Sequence, residues 1–79
     1  DLFDADGAEI YLKDAAAYVA TGEPVDFFTV VEAARRRGEI AIGYDVAEKG
    51  TARKPKLNPK KSAPVTFAAG DRVVVIADS

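Results

Sequence analysis

The chain has 79 residues, a formal charge of −2, and neither cysteine nor histidine. That size accommodates one small domain. The missing residue types exclude a disulfide framework, thiolate metal sites and the Cys–His or Ser–His pairs on which nucleophilic catalysis rests.

Residues 1–7 are acidic and turn-rich and read as a frayed lead-in. Residues 9–13 alternate, which predicts a first strand with Ile10 and Leu12 inward and Glu9 and Tyr11 outward. Residues 14–18 are expected to make one helical turn capped by the Asp14 carboxylate. Residues 21–24, with Gly22 and Pro24, then break the chain.

The clearest element is a helix. Asp26 suits its N-cap, Val25 is placed to staple against Val30, and Phe27, Val30, Val31 and Ala34 recur at i, i+3, i+4 and i+7 as one apolar stripe. Arg35, Arg36 and Arg37 crowd the last turn, where cations suit the negative pole of the helix, and Gly38 supplies a left-handed exit. Residues 39–45 read as a second strand with Ile40, Ile42 and Tyr44 on one face. Ala41 and Gly43 leave the other face shallow enough for a helix or another backbone to come close.

Residues 46–56 lose the apolar pattern and form a basic loop containing Gly50 and Pro55. Leu57 is expected on a short third strand that Pro59 stops. Pro64 opens a brief strand through Val65 and Phe67, and Gly70–Asp71 turns the chain into a last strand at residues 72–78. Positions 73–77 are all apolar, which implies burial on both faces and a central place in the sheet. These elements predict an α+β fold, with one main helix packed on a small mixed or antiparallel sheet of about four to five short strands.

Charge is unevenly distributed. Residues 1–26 hold seven acids against Lys13 alone, whereas residues 49–61 hold six bases and no acid. The basic stretch reads as a solvated loop or as an edge that attracts anions. Arg35, Arg36, Arg37, Asn58, Lys60 and Lys61 are therefore candidate contacts for an anionic effector or a partner. Nucleic acid is not the expected partner, because residues 49–61 contain no aromatic side chain on which bases would stack and the chain is acidic overall.

Catalytic chemistry is not expected. Ser62 and Ser79 stand in no strand–turn–helix elbow, and Glu23 and Asp26 flank a helix start, where acids are structurally favoured. Asp4-Ala-Asp6-Gly7 resembles the middle of a calcium loop, but Leu2 and Lys13 occupy the positions of its first and last ligands. There is no glycine-rich phosphate fingerprint, and no cofactor is expected. No apolar run reaches the ~20 residues that cross a bilayer, so membrane insertion by these residues is not expected. With Asp1 first and no methionine, the sequence reads as a piece of a longer protein.

Several motifs occur in order: residues 9–13, Tyr18-Val19, Gly22-Glu-Pro24, the helix ending at Arg37, and Glu39-Ile-Ala-Ile-Gly-Tyr44. Leu57-Asn-Pro59, Lys61-Ser62 and Gly70-Asp71 before the last apolar strand complete the set. This set resembles the carboxy-terminal lobe of regulator-of-potassium-conductance domains, the TrkA-C type, in the version carried by the Castor/Pollux family of ion channels. The resemblance runs from about Ala8 to Ala77 and implies that residues 1–79 are one such lobe. Its loop at 46–56 is longer than that family's usual connection.

The resemblance further implies a non-catalytic regulatory and assembly domain at the cytoplasmic face of a membrane. Such a lobe would pair with a second copy, contact a Rossmann-like lobe and the pore of its parent, and sense a small effector to gate cation flux. The alternative is a module that binds an anionic metabolite, such as a nucleotide or cyclic dinucleotide, without any pore. A standalone structural adaptor is the third reading.

Overall fold

A computed structural model describes residues 9–46 and 55–78. The elements are β1 (Glu9–Asp14), a 3-10 turn (Ala15–Ala17), β2 (Pro24–Asp26), α1 (Phe27–Arg35), β3 (Ile40–Asp45), β4 (Lys56–Leu57), β5 (Pro64–Thr66) and β6 (Arg72–Ala77). Four strands form an antiparallel sheet in the order β1-β6-β3-β4, and β2 pairs antiparallel with β5 separately. The fold is α+β, as the patterning predicts, and the last strand is internal. The lead-in at residues 1–7, the calcium-like fragment and residues 47–54 of the basic loop lie outside the described residues.

Both ends of α1 form as their residues dictate. The Asp26 carboxylate accepts the Thr29 N–H at 3.0 Å, supplying one of the partners that a first helical turn lacks. At the other end Gly38 takes φ +75°. Its N–H then reaches the Arg35 carbonyl at 3.0 Å while Glu39 N–H reaches that of Ala34 at 3.0 Å, the crossed bonds of a Schellman closure.

The core lies between α1, the β2–β5 pair and one face of the large sheet. Phe27, Val30 and Ala34 of the helix stripe are buried with Val65, Phe67, Ala41, Tyr44, Val73 and Val75, and Val25 and Val31 pack partly against them. Tyr44 is central: its ring centroid lies 5.9 Å from that of Phe27 and 5.8 Å, edge-on, from that of Phe67. Such tilted and edge contacts suit the aromatic quadrupole.

Six local expectations are corrected. In β1 the two faces are exchanged: Ile10 and Leu12 are 67% and 45% exposed, whereas Tyr11 packs on the core. The register sets Tyr11 beside Val75 and Lys13 beside Val73, both on the inner face, and a period of two cannot say which of its rows faces inward. In β3 a register shift between Ala41 and Gly43 inserts Ile42 as an extra residue. Ala41 and Tyr44 consequently share the core face, and the expected grouping of Ile40, Ile42 and Tyr44 is broken.

Asp14 makes no side-chain cap; the Ala15 N–H instead donates to the Asp71 carbonyl at 2.9 Å. Residues 21–23 bend as expected, but Pro24, assigned to that break, opens a strand, Pro24–Asp26, held by Pro64–Thr66. Lys56, assigned to the loop, belongs to β4. The last strand also falls short of burial on both faces, because Ile76 is half-buried while Val73, Val74 and Val75 are buried.

Candidate functional site

The outer face of the large sheet carries the most unusual surface. The register flanks Ile76 with Ile10 and Ile40, and flanks Val74 with Leu12 and Gly43; Leu57 stands opposite Gly43 on the far strand. None of these residues belongs to the core cluster. Ile10, Leu12 and Leu57 are exposed, Ile40, Ile42 and Ile76 are half-buried, and Val74 between them is buried. Among the described residues α1 and the β2–β5 pair pack on the inner face, so an apolar band crosses all four strands without a covering layer. An apolar surface of this kind, contiguous rather than scattered, marks an interaction site more often than a bare wall.

Gly43 makes the band possible at the β4 end. A methyl group there would run into the Lys56 carbonyl oxygen and press on the Leu57 side chain. At the other end the band closes with charge, as Arg72 stands between Asp14 and Asp45 in the register. Its guanidinium lies 2.8 Å from the Asp45 carboxylate.

A second constellation lies where α1 exits. Glu39, only 7% exposed, accepts hydrogen bonds from Lys13 Nζ and the Tyr18 hydroxyl, both at 2.6 Å, with Arg37 Nε 3.6 Å away. The Arg37 guanidinium also stacks 4.8 Å from the centre of the Tyr18 ring and donates to the Ala17 carbonyl at 3.3 Å. Burial pushes the Glu39 carboxyl up, but the bonds from Lys13 and Tyr18 and the charge of Arg37 outweigh it and leave the carboxyl below its usual range. Burial, and next the bond to Glu39, push the Tyr18 phenol well above its ordinary value. This cluster ties β1 to the helix exit, and its arrangement is that of a clamp.

Of the six sequence-selected residues, Arg35, Arg36 and Arg37 stand at the end of α1, Lys61 is bonded to its start, and Asn58 is bonded to β3. Arg35 pairs with Glu32 at 3.0 Å on the exposed helix face. Arg36 lines a shallow groove of about 330 Å³ with Tyr18, Phe28, Thr29, Glu32 and Ala33. Arg37 belongs to the Glu39 clamp. Asn58, at φ +54°, donates its N–H to the Ile42 carbonyl at 2.9 Å. Lys60 and Lys61 are exposed, and the Lys61 carbonyl accepts the Phe28 N–H at 2.8 Å, at the start of the helix. No group of three or more acids stands together as a metal set among the described residues.

Sequence reasoning missed both the clamp and the apolar band. The first joins residues 26 apart, and the second depends on which row of β1 faces out. One signal was available for the band: a hydrophobic content of 48%, generous for 79 residues.

No protein-family model matches the chain. It is 33% identical over 79 residues to ion channel CASTOR of Lotus japonicus, a match covering 99% of this chain and 9% of that protein. A probable ion channel, POLLUX of Arabidopsis thaliana, is 35% identical over 80 residues, covering 100% of this chain and 9% of that protein. Ion channel DMI1 of Medicago truncatula is 35% identical over 78 residues, covering 98% and 8%. The chain thus spans no more than 9% of the length of the curated relatives it matches. Identity of 30–35% over 96–100% of this chain places it among the relatives of the Castor/Pollux ion channels, to one segment of which it is similar.

Proposed function

We propose that this chain is a non-catalytic regulatory and assembly domain of a cation channel, working at the cytoplasmic face of the membrane by docking rather than by chemistry. The reading rests on one observation above all: an apolar sheet face, spanning four strands and bounded by a charged row, on which Ile10, Leu12 and Leu57 are exposed and no other described element packs. No helix among them is long and apolar enough to cross a membrane, so the pore would be built from other parts of the parent. The outer sheet face would rest on that parent, and copies of the domain would pair. A bistable contact of this type lets a small bias in one domain shift the population of an attached pore.

Two measurements test the reading. Sedimentation velocity of the 79-residue chain is expected to show concentration-dependent dimers; a monomer throughout would remove the pairing. In the parent channel, Leu57→Asp is expected to change ion flux at unchanged surface expression, because it places a charge in the docking face. Unchanged flux would remove the channel role.

A second reading draws on Asn58, Lys60 and Lys61, whose segment carries exposed ammonium groups and is bonded to the start of α1. It assigns them to a small anionic effector. Thermal shift against nucleotides, cyclic dinucleotides and simple salts separates the two, since an effector site predicts a shift that Lys60→Ala with Lys61→Ala abolishes.

A further inference from the structure

The large sheet ends in two unlike edges. On one side β4 is two residues long and runs at once into Asn58, in a left-handed conformation, and Pro59. That edge offers almost no ladder for another strand. On the other side β1 is six residues long, is bonded along its whole length to β6, and has no strand beyond it among the described residues. A regular edge of this length is a template for pairing.

We propose that β1 pairs antiparallel with β1 of a second copy about a two-fold axis through Tyr11, so that Ile10 faces Leu12 and Glu9 faces Lys13 across the seam. The inference rests on the assembly reading and names the surface on which copies meet.

Register follows from the pleat. Residues that face each other in an antiparallel pair point to the same side of the sheet. An axis midway between two residues would set outward Leu12 against inward Tyr11, which the pleat forbids, so the axis passes through a residue. With Leu12 on the axis, Ile10 meets Asp14 and Tyr11 meets Lys13. With Ile10 on the axis, Glu9 meets Tyr11 and the rest of β1 is left over. Tyr11 on the axis matches both rows at once. The exposed Ile10 and Leu12 cover each other twice, and the inner row reads acid, aromatic, base against base, aromatic, acid.

The side chains already lie in position for this. Tyr11 donates to its own Glu9 at 3.0 Å, and Lys13 Nζ is 5.5 Å from the Tyr11 ring centre while bonded to Glu39. Both charges therefore cluster beside the axis, where the opposite charge of the second copy arrives. A contact of this type is isologous and closes at two copies. It fuses two four-stranded sheets into one and joins their apolar outer faces into a surface twice as wide.

The chain has no cysteine, so single cysteines report the register directly. Tyr11→Cys is expected to give mostly covalent dimer under mild oxidation, because only this register brings residue 11 against its own copy. Leu12→Cys alone and Ile10→Cys alone are expected to stay largely uncrosslinked. Mixed together, these two exposed-site variants are expected to form the heterodimer, which covers the case in which Tyr11→Cys fails to fold by circular dichroism. Glu9→Lys is expected to weaken the dimer about tenfold in sedimentation by setting like charges opposite each other.

Selective crosslinking of Leu12→Cys or Ile10→Cys with itself would overturn the register. A wild-type dimer that none of these cysteines crosslinks, and that Leu57→Asp dissociates, would overturn the edge pairing while leaving the assembly reading intact. A wild-type chain that stays monomeric would overturn both.

Discussion

Glu39 is almost out of water, yet its carboxyl is held in the charged form by partners from three places in the chain: Lys13 on β1, Tyr18 after the 3-10 turn, and Arg37 at the helix exit. Glu39→Gln keeps the shape but loses the charge, so it is expected to cost about 2 kcal/mol in urea unfolding, the scale of hydrogen bonds to a charged group. The sign of the pH dependence is fixed by the direction of the shift. Because the folded carboxyl titrates below its ordinary 4.5, its contribution is complete above that pH and is lost as pH falls through the folded value. Acid unfolding curves of Glu39→Gln should therefore be flatter than wild type below pH 4.5. Tyr18 has the opposite sense. Its phenol titrates above 10.0 in the folded chain, so its contribution holds below that pH and fades as pH rises beyond it. Tyr18→Phe should cost about 1 kcal/mol at neutral pH and flatten the alkaline limb; an unchanged alkaline limb would show that the hydroxyl does not hold Glu39. None of this network was visible in the sequence, where Glu39 was merely the residue after Gly38.

Among the elements, α1 was the most legible, because each of its signals is local. Asp26, the apolar stripe and Gly38 act within one or two turns, and all three do what their residue types dictate. The strands were legible in position but not in facing. Gly43 shows why: its role depends on β4, which arrives from 14 residues downstream to set Leu57 opposite it. Gly43→Ala should push Lys56–Leu57 off the sheet, at a cost of roughly 1–3 kcal/mol, the range for forcing an extra methyl into a packed site. Hydrogen exchange of the Asn58 amide, now bonded to the Ile42 carbonyl, should accelerate in the variant. Retained protection there would mean that β4 tolerates the methyl by a shift of its own. The candidate cations illustrate the same limit. Arg35–Arg37, Lys60 and Lys61 share a charge type in the sequence, but Lys61 is bonded to the start of α1 and the arginines stand at its end, and one of them, Arg37, is occupied by the clamp.

For the molecule as a whole, stability is narrow. Domains of this size retain roughly 4–12 kcal/mol, on the order of a tenth of a kcal/mol per residue. Phe67 is fully buried and meets Tyr44 edge-on, joining the segment after β5 to the large sheet. Phe67→Ala should cost about 3–5 kcal/mol, a large share of that margin, and lower the melting temperature in a thermal melt by well over ten degrees. Pairing would widen the margin by mass action, so the melting temperature should rise with protein concentration if copies associate. By itself the sequence determined the class of the fold, both helix ends, the positions of five of the six strands among the described residues and the kinship with the Castor/Pollux channels, because caps, breakers and periodicity act between near neighbours. Tertiary structure alone decided which row of β1 is wet, where β3 bulges, that residues 24–26 pair with residues 64–66, and that no other described element packs on the outer face of the sheet. Those outcomes turn on register between distant segments, and alternating side chains are equally compatible with either side of a pleated ribbon until a partner strand fixes the choice.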